Sequence, residues 1–426
     1  MSMPLCSKID GLACFLLLGF LLAGQLAANT LSHAERAEKR FESYIKALQE
    51  GKEEVAEEFW NKEERDKYRA YDWQWEYLTY RMLDPRHLNY KVVNREEREG
   101  YVTLEVEWYY RDGKAGSLQT DIRYFVEENG KMVGANPIFV HTRDWQQKKS
   151  KHFLYRYKNK QDKPSRSLLE KMDRFYEKTV DLLEVDFQYR IEYFKCDSPE
   201  EVGLLFGLEP SPARSQIFNG VAASVREFVP HEIVHIISYQ LLPREEKGIP
   251  PEYLNEGLSY WLGGASFFSS ELLLSWARLK IEQEDNITLD SLINDPWIYG
   301  KNEGAALVTS LVKFLIETYG NTEFKQLFAA GESYDKQRAA LTKLYGKSVN
   351  QLQEEWKRFV RALDLPEIRF EKPASTKMSF YIEDPLGDDK GDGDYSYPQN
   401  QKAASGMFDL IGFEVSCDDE MVYFKL

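Results

Sequence analysis

Histidine is scarce in this chain, with six among 426 residues. Cysteine is scarcer. Of its four copies, Cys6 and Cys14 sit in an apolar N-terminal stretch, which leaves Cys196 and Cys417 far apart. With no C-x-x-C spacing, this argues against a disulfide framework and against a cysteine-built zinc site. Positive charge is in deficit too: 55 Lys and Arg face 70 Asp and Glu, a net −15. A phosphate backbone wants a basic surface, so nucleic acid is not an expected partner. The apolar run from Leu12 to Leu22 falls short of the roughly 20 residues of a comfortable membrane span. At 43% hydrophobic residues the chain is nonetheless no disordered polymer, and its length suggests two or three domains.

Against this scarcity, His231-Glu232-Ile233-Val234-His235 stands out as an H-E-x-x-H motif. On a helix, residues four apart lie one above the other, so His231 and His235 offer two imidazoles to one metal ion. Glu232 lies about 100° round the helix and points beside the metal, where a base for an attacking water belongs. Pro230 suits the first turn, and Ile233, Val234, Ile236 and Ile237 supply an apolar face. Neutral nitrogen ligands, an open position and an adjacent carboxylate favour Zn2+ and hydrolytic chemistry. The plainer alternative is two histidines on a buried helix, satisfied by hydrogen bonds. A catalytic zinc usually has three protein ligands. After a Pro- and Gly-marked loop, a second helix begins at Pro251 and carries Glu252 and Glu256 one turn apart, and on spacing alone either could be the third.

The stretch Pro251-Glu252-Tyr253-Leu254-Asn255-Glu256-Gly257-Leu258 resembles the second motif of gluzincin metallopeptidases, especially the bacterial Peptidase MA-like family. The resemblance implies Glu256 as third ligand and Glu252 as a surface carboxylate. Tyr253 stands where that family often has Trp. Phe218 to Ala222 resembles the family's substrate-binding edge strand, although Asn219-Gly220 reads equally as an ordinary turn. Glu303 to Val308 and Phe314 to Gly320 resemble its closing helix and Y-G turn. Relatives often carry an oxyanion-stabilising Tyr ahead of that helix. Tyr299 is the nearest here, with a half-buried packing aromatic as the other reading. Asn255 either orients the neighbouring ligand or caps its own turn. His152 reads as a strand-edge histidine, with a metal ligand as the alternative, since the motif already supplies a compact set.

The rest of the chain frames this site. Residues 1–28 read as a secretory leader, with Lys8 before the apolar run and Leu26-Ala27-Ala28 for cleavage; uncleaved, they are a membrane anchor. Either way the expected location is extracytoplasmic, secreted or at the cell surface. Residues 29–145 read as an α+β accessory domain. One apolar-faced helix covers Ser32 to Phe59, and strands follow at Tyr101–Trp108, Thr120–Gly130 and from Lys131. This resembles a ketosteroid-isomerase-like, or SnoaL-like, cone. Asp121 and Glu105 read as solvent-facing strand charges, so the unit is expected to bind or dimerise rather than catalyse.

Residues 146–365 read as the peptidase domain, a small sheet followed by helices, opened by a polar linker after His141 and a strand at His152–Tyr157. Residues 366–426 carry Asp384-Pro385-Leu386-Gly387-Asp388-Asp389-Lys390-Gly391-Asp392-Gly393-Asp394-Tyr395-Ser396-Tyr397-Pro398. This string resembles the start of the DOMON-like β-sandwich at the C-terminus of glucodextranases, here truncated. Its aspartates could hold Ca2+ or form a solvated turn. The fold class expected overall is α+β, with a gluzincin-like domain between a cone and a partial β-sandwich. The function expected is a zinc metallopeptidase acting on peptides or proteins. The alternative is a non-catalytic scaffold for the cell envelope or carbohydrate with a structural zinc.

Overall fold

The computed structural model describes residues 31–68, 71–73, 87–110, 119–187, 190–242, 250–265 and 268–365, with the backbone of three strands between 378 and 425. The leader, the residues around Trp75 and Tyr77, and the aspartate-rich string 384–398 lie outside the described residues. The chain divides into two compact units, residues 1–366 and 367–426. The chain as a whole mixes helix and strand as the α+β expectation requires: small sheets in both units, and many helices among the described residues of the first.

The first unit opens with α1 (His33–Gln49), started by a capping box in which Ser32 and Glu35 satisfy each other's backbone N–H. Its Ala37, Phe41, Tyr44, Ile45 and Leu48 recur at helical spacing and are buried. The single long helix expected here is instead two. Gly51 adopts φ +70° and ends the run, and α2 (Glu53–Glu57) starts afresh, followed by α3 (Lys62–Lys67). The helices lie on an antiparallel meander, β1 (Leu88–Arg98), β2 (Tyr101–Tyr110), β3 (Gln119–Glu128) and β4 (Lys131–Ala135). Asn129 and Gly130 both take positive φ and close the β3–β4 hairpin, as Asn-Gly turns do. β1 has no counterpart in the sequence reading, because its residues from Val93 onward are exposed and mostly charged and so carry no alternation.

One expectation for this region is overturned. Asp121 does not face solvent: it is buried on the helix-covered side with Arg123, while Ile122 is exposed. Arg123 donates to Asp121 (2.9 Å) and to Asp72 (3.0 Å). Trp108 Nε1 also donates to Asp121 (2.9 Å), and the Tyr44 hydroxyl to Asp72 (2.8 Å). Alternation tells which side of a strand a residue takes, not which side is the core. The space left among Arg40, Phe41, Tyr44, Trp60 and Arg123 is about 10 Å³.

Next come α4 (Pro137–His141) and a five-stranded mixed sheet in the order β5 (Gln146–Lys149), β6 (Phe153–Tyr157), β7 (Ile191–Lys195), β9 (Val221–Ser224), β8 (Ala213–Gln216). The stretch expected to begin as a linker is therefore partly an edge strand, its lysines suiting an exposed edge. β6, β7 and β9 run parallel, joined by the crossover helices α5 (Arg166–Leu183) and α6 (Pro199–Phe206). β7 is buried on both faces. Its Ile191 and Tyr193 join the core under α5, whereas Phe194 joins a second core with Val202, Leu205, Phe206, Val221 and Ala223. Tyr68, Trp73, Ile138 and Trp145 complete that second core, so the N-terminal residues cover one face of this sheet. Lys67 reaches across to Glu192 at 2.8 Å.

Helices make the rest of the unit: α7 (Pro230–Ser238), α8 (Glu252–Gly263), α9 (Ser270–Gln283), α10 (Leu289–Asn294), α11 (Lys301–Tyr319), α12 (Asn321–Phe328), α13 (Tyr334–Tyr345) and α14 (Val349–Ala362). The second unit, by itself, contains an antiparallel three-stranded sheet of β10 (Met378–Glu383), β11 (Gly412–Cys417) and β12 (Val422–Lys425), in that order. Among the described residues, no helix is long and apolar enough to cross a membrane.

Candidate metal centre

α7 begins with Pro230 in its first turn and buries Ile233, Val234, Ile236 and Ile237. That orientation leaves His231 and His235 stacked on the opposite face, their Nε2 atoms 2.9 Å apart. α8 brings Glu256 over them, its two carboxylate oxygens 3.5 Å from His231 Nε2 and 3.5 Å from His235 Nε2. Ligand atoms of the three residues lie within 4.8 Å of one another. Two glycines permit this approach. A Cβ on Gly257 would sit 2.5 Å from the Val308 carbonyl oxygen of α11, and one on Gly263 would sit 2.5 Å from the His231 backbone nitrogen. The glycine after Glu256 is thus required by helix packing.

Each ligand candidate is oriented from behind. His235 Nδ1 lies 3.0 Å from the Ser259 hydroxyl, and a proton held there leaves Nε2 its lone pair. Asn255 Oδ1 accepts from Ser238 Oγ (3.1 Å), tying α8 to the end of α7 rather than capping its own turn. Burial alone would push the Glu256 carboxyl up, but His235, His231 and Lys301 overcome it and hold it below the ordinary carboxylate range. Burial would likewise lower His231, yet Glu256 and Glu232 outweigh it and the imidazole's pKa is raised. Two nitrogens and a carboxylate converging at this separation, with positive charge favoured among them, fit a divalent transition metal, and N,N,O donors suit zinc.

Glu232 points away from its neighbours' ring nitrogens toward β8, where Ser215 Oγ donates to its Oε2 at 2.7 Å. β8, not the Phe218–Ala222 segment, is the sheet's edge next to the motif. Asn219-Gly220 form a turn, with Gly220 at φ +67°, and Val221 opens the interior strand β9. Two cavities flank the centre and share Ala213, His231 and Glu232. One, of about 380 Å³, also meets His235, Asn255 and Glu256; the other, of about 410 Å³, runs past Tyr260 and Lys301.

Tyr299 is not brought to this group. Its hydroxyl accepts from Thr288 N (3.0 Å) and donates to Asn286 O (3.1 Å), and it lines neither cavity. It ties the turn before α11 to the Asn286–Thr288 segment before α10, in keeping with the packing alternative. Glu252 accepts from Trp297 Nε1 (2.7 Å), and His152 stacks on Tyr176 beside Glu177; neither joins the centre. Sequence reading missed Ser215, Ser259 and Tyr260. Ser259 and Tyr260 follow Glu256 by three and four residues, the helical spacing that keeps them on its face, and the Tyr260 ring lies 4.5 Å from that of His231. Ser215 sits on a four-residue strand with no such signal.

Residues 218–362 match the family model of the Peptidase MA superfamily. The matched span holds α7 to α14 and all three ligand candidates, but not β8 or anything before it. Residues 380–426 match a second family model, the C-terminal binding-module, SLH-like, of glucodextranase. No curated protein matches the chain. The Peptidase MA match points to a protease-like hydrolase for the region that carries the centre.

Proposed function

We propose that this chain is a zinc-dependent metallopeptidase of the cell surface or exterior, hydrolysing peptide bonds in peptide or protein substrates. The observation that carries the reading is the convergence of His231, His235 and Glu256 to within 4.8 Å, with Glu232 beside them and open cavities on both sides. When bound, zinc supplies Lewis acidity to the scissile carbonyl and makes water a competent nucleophile at neutral pH. The chain's own residues do the rest. His231, His235 and Glu256 hold the ion, and Ser259 sets the tautomer of His235. Glu232, steadied by Ser215, takes a proton from the attacking water and returns it to the leaving amine. Tyr260, against His231 at the cavity wall, stands where a hydroxyl could meet developing negative charge. The exposed edge of β8 offers its backbone to an extended peptide.

Zinc-loaded protein, assayed on denatured protein and on a mixed peptide library, tests this. Cleavage that a chelator abolishes and Glu232→Gln removes supports the reading. Full cleavage by Glu232→Gln rejects it.

A second reading rests on the match of residues 380–426 to an SLH-like binding-module. In it the chain is a non-catalytic scaffold that binds envelope or carbohydrate and keeps zinc for structure. It predicts sedimentation with cell-wall material and no chelator-sensitive proteolysis. The same module serves the peptidase reading by anchoring the enzyme near its substrates.

A further inference from the structure

The two cavities beside the metal centre both mix polar and apolar lining, and they differ in where their aromatic residues come from. The one past Tyr260 sets Lys301 and Asn302 beside Phe228 and Phe268. The other, about 380 Å³, is walled by Trp73, Phe206, Leu208, Ile217 and Phe218, and its floor is His231, Glu232, His235 and Glu256. Its aromatic wall is built from two distant parts of the chain. Phe206 ends α6; Trp73 arrives from the N-terminal region, and their rings lie 5.7 Å apart. Trp73 is 4% exposed and fixed from three directions. Its backbone N–H donates to Asn136 Oδ1 (3.1 Å), Tyr68 packs on it at 5.3 Å, and Phe206 backs it. Asn136 is itself held by Glu64, which accepts from both its backbone and side-chain nitrogens. This is a rigid wall. Arg214, also on the lining, turns one guanidinium nitrogen to the Glu209 carbonyl (3.0 Å). A large apolar side chain placed against the Trp73 and Phe206 rings would gain from burial, and a charged one placed there would lose hydration that only the Arg214 side of the lining could replace.

We propose that this cavity selects the substrate by taking one large apolar side chain, of the Phe or Leu class, from a peptide laid along β8, and that Trp73 is a specificity-determining residue supplied by the N-terminal region. The inference rests on the peptidase reading for what the peptide is there for, but its test needs no turnover. Full-chain Glu232→Gln protein, zinc-loaded, is titrated with fluorescent Gly/Ser peptides that differ at one position only, Phe, Leu, Ala or Asp, and binding is followed by anisotropy.

Phe and Leu peptides should bind roughly ten-fold or more tightly than Ala, because burial of such a side chain is worth about ten- to hundred-fold. Asp should bind more weakly than Phe or Leu, and an Asp peptide that binds more tightly than both overturns the inference. Trp73→Ala should bring Phe to within about two-fold of Ala with zinc content unchanged. Leu208→Trp fills the cavity while leaving Trp73 in place; it should erase the preference likewise and carries the test if Trp73→Ala does not fold. Equal binding of all four peptides, binding of none, or an apolar preference that survives both substitutions overturns the inference. If the preference holds but Glu232-containing protein hydrolyses nothing, the pocket stands and the peptidase reading falls. If hydrolysis occurs without apolar preference, the reverse is true.

Discussion

The first unit buries two clusters of ionisable side chains, and they are built to opposite ends. Under the N-terminal sheet, Arg123 lies between Asp72 and Asp121, and Tyr44 and Trp108 donate to the same carboxylates at 2.8–2.9 Å. Cation and anions are both present, and the surrounding space is closed. At the motif, His231, His235 and Glu256 converge, with the carboxylate held 3.5 Å from each ring nitrogen and open cavities alongside. The first cluster contains its own counter-charge; the second has room for the metal ion proposed above. Burial of charge therefore says little about function until the partners are counted.

Breaking the open cluster's chemistry should give the largest effect. Glu232→Gln should lower peptide hydrolysis by roughly 10²–10⁴-fold, while elemental analysis still finds one zinc per chain. Glu256→Ala should instead lose the zinc. The closed cluster should respond in stability rather than activity. Arg123→Met removes the cation between two buried carboxylates and should cost about 3–5 kcal/mol in urea unfolding; an unchanged midpoint would mean that the cation is not needed there.

Glu64 sharpens the contrast, because it is a buried carboxylate held by amides rather than by a cation. Burial pushes it up to about 7, against the hydrogen bonds of Asn136 and Asn61. Below about 4.5 the folded and unfolded forms are both protonated. Between 4.5 and 7 only the unfolded chain gives up its proton, so stability falls as pH rises and levels off above 7. The stability difference between wild type and Glu64→Gln should shift by roughly 3 kcal/mol across that window. The smallest effect belongs to the partner behind a ligand: Ser259→Ala should weaken zinc binding by about 10–100-fold in a competition titration, with the fold unchanged.

The centre was legible because its core lies on two short helices, where i, i+4 spacing is geometry. His231, Glu232 and His235 follow from spacing alone. Glu256 needed the resemblance, since Glu252 lies on the same face of the same helix, one turn earlier, where it accepts from Trp297. Ser198 capping α6 and the Asn129-Gly130 turn were equally local and equally readable. What was not legible depended on tertiary direction. Tyr299 has the right residue type near α11, but its hydroxyl is spent on the loop it closes. Asp121 obeys alternation, yet the buried side of β3 is the one that bears its charge. The four residues of β8 and the placement of Trp73 carry no periodic signal, although they build the rim and wall of the site.

The double-sided burial of β7 also bears on how this chain can be divided. The Peptidase MA match starts at residue 218, and sequence reading starts the domain at 146, but part of the cover on the sheet's second face lies before either point. A fragment beginning at 146 would keep α6 on that face but lose Tyr68, Trp73, Ile138 and Trp145, exposing the apolar residues they pack against. The N-terminal region is therefore no detachable ornament on a self-sufficient domain. Any exchange of it between relatives would have to carry Tyr68, Trp73, Ile138 and Trp145 along, as half of a shared interior.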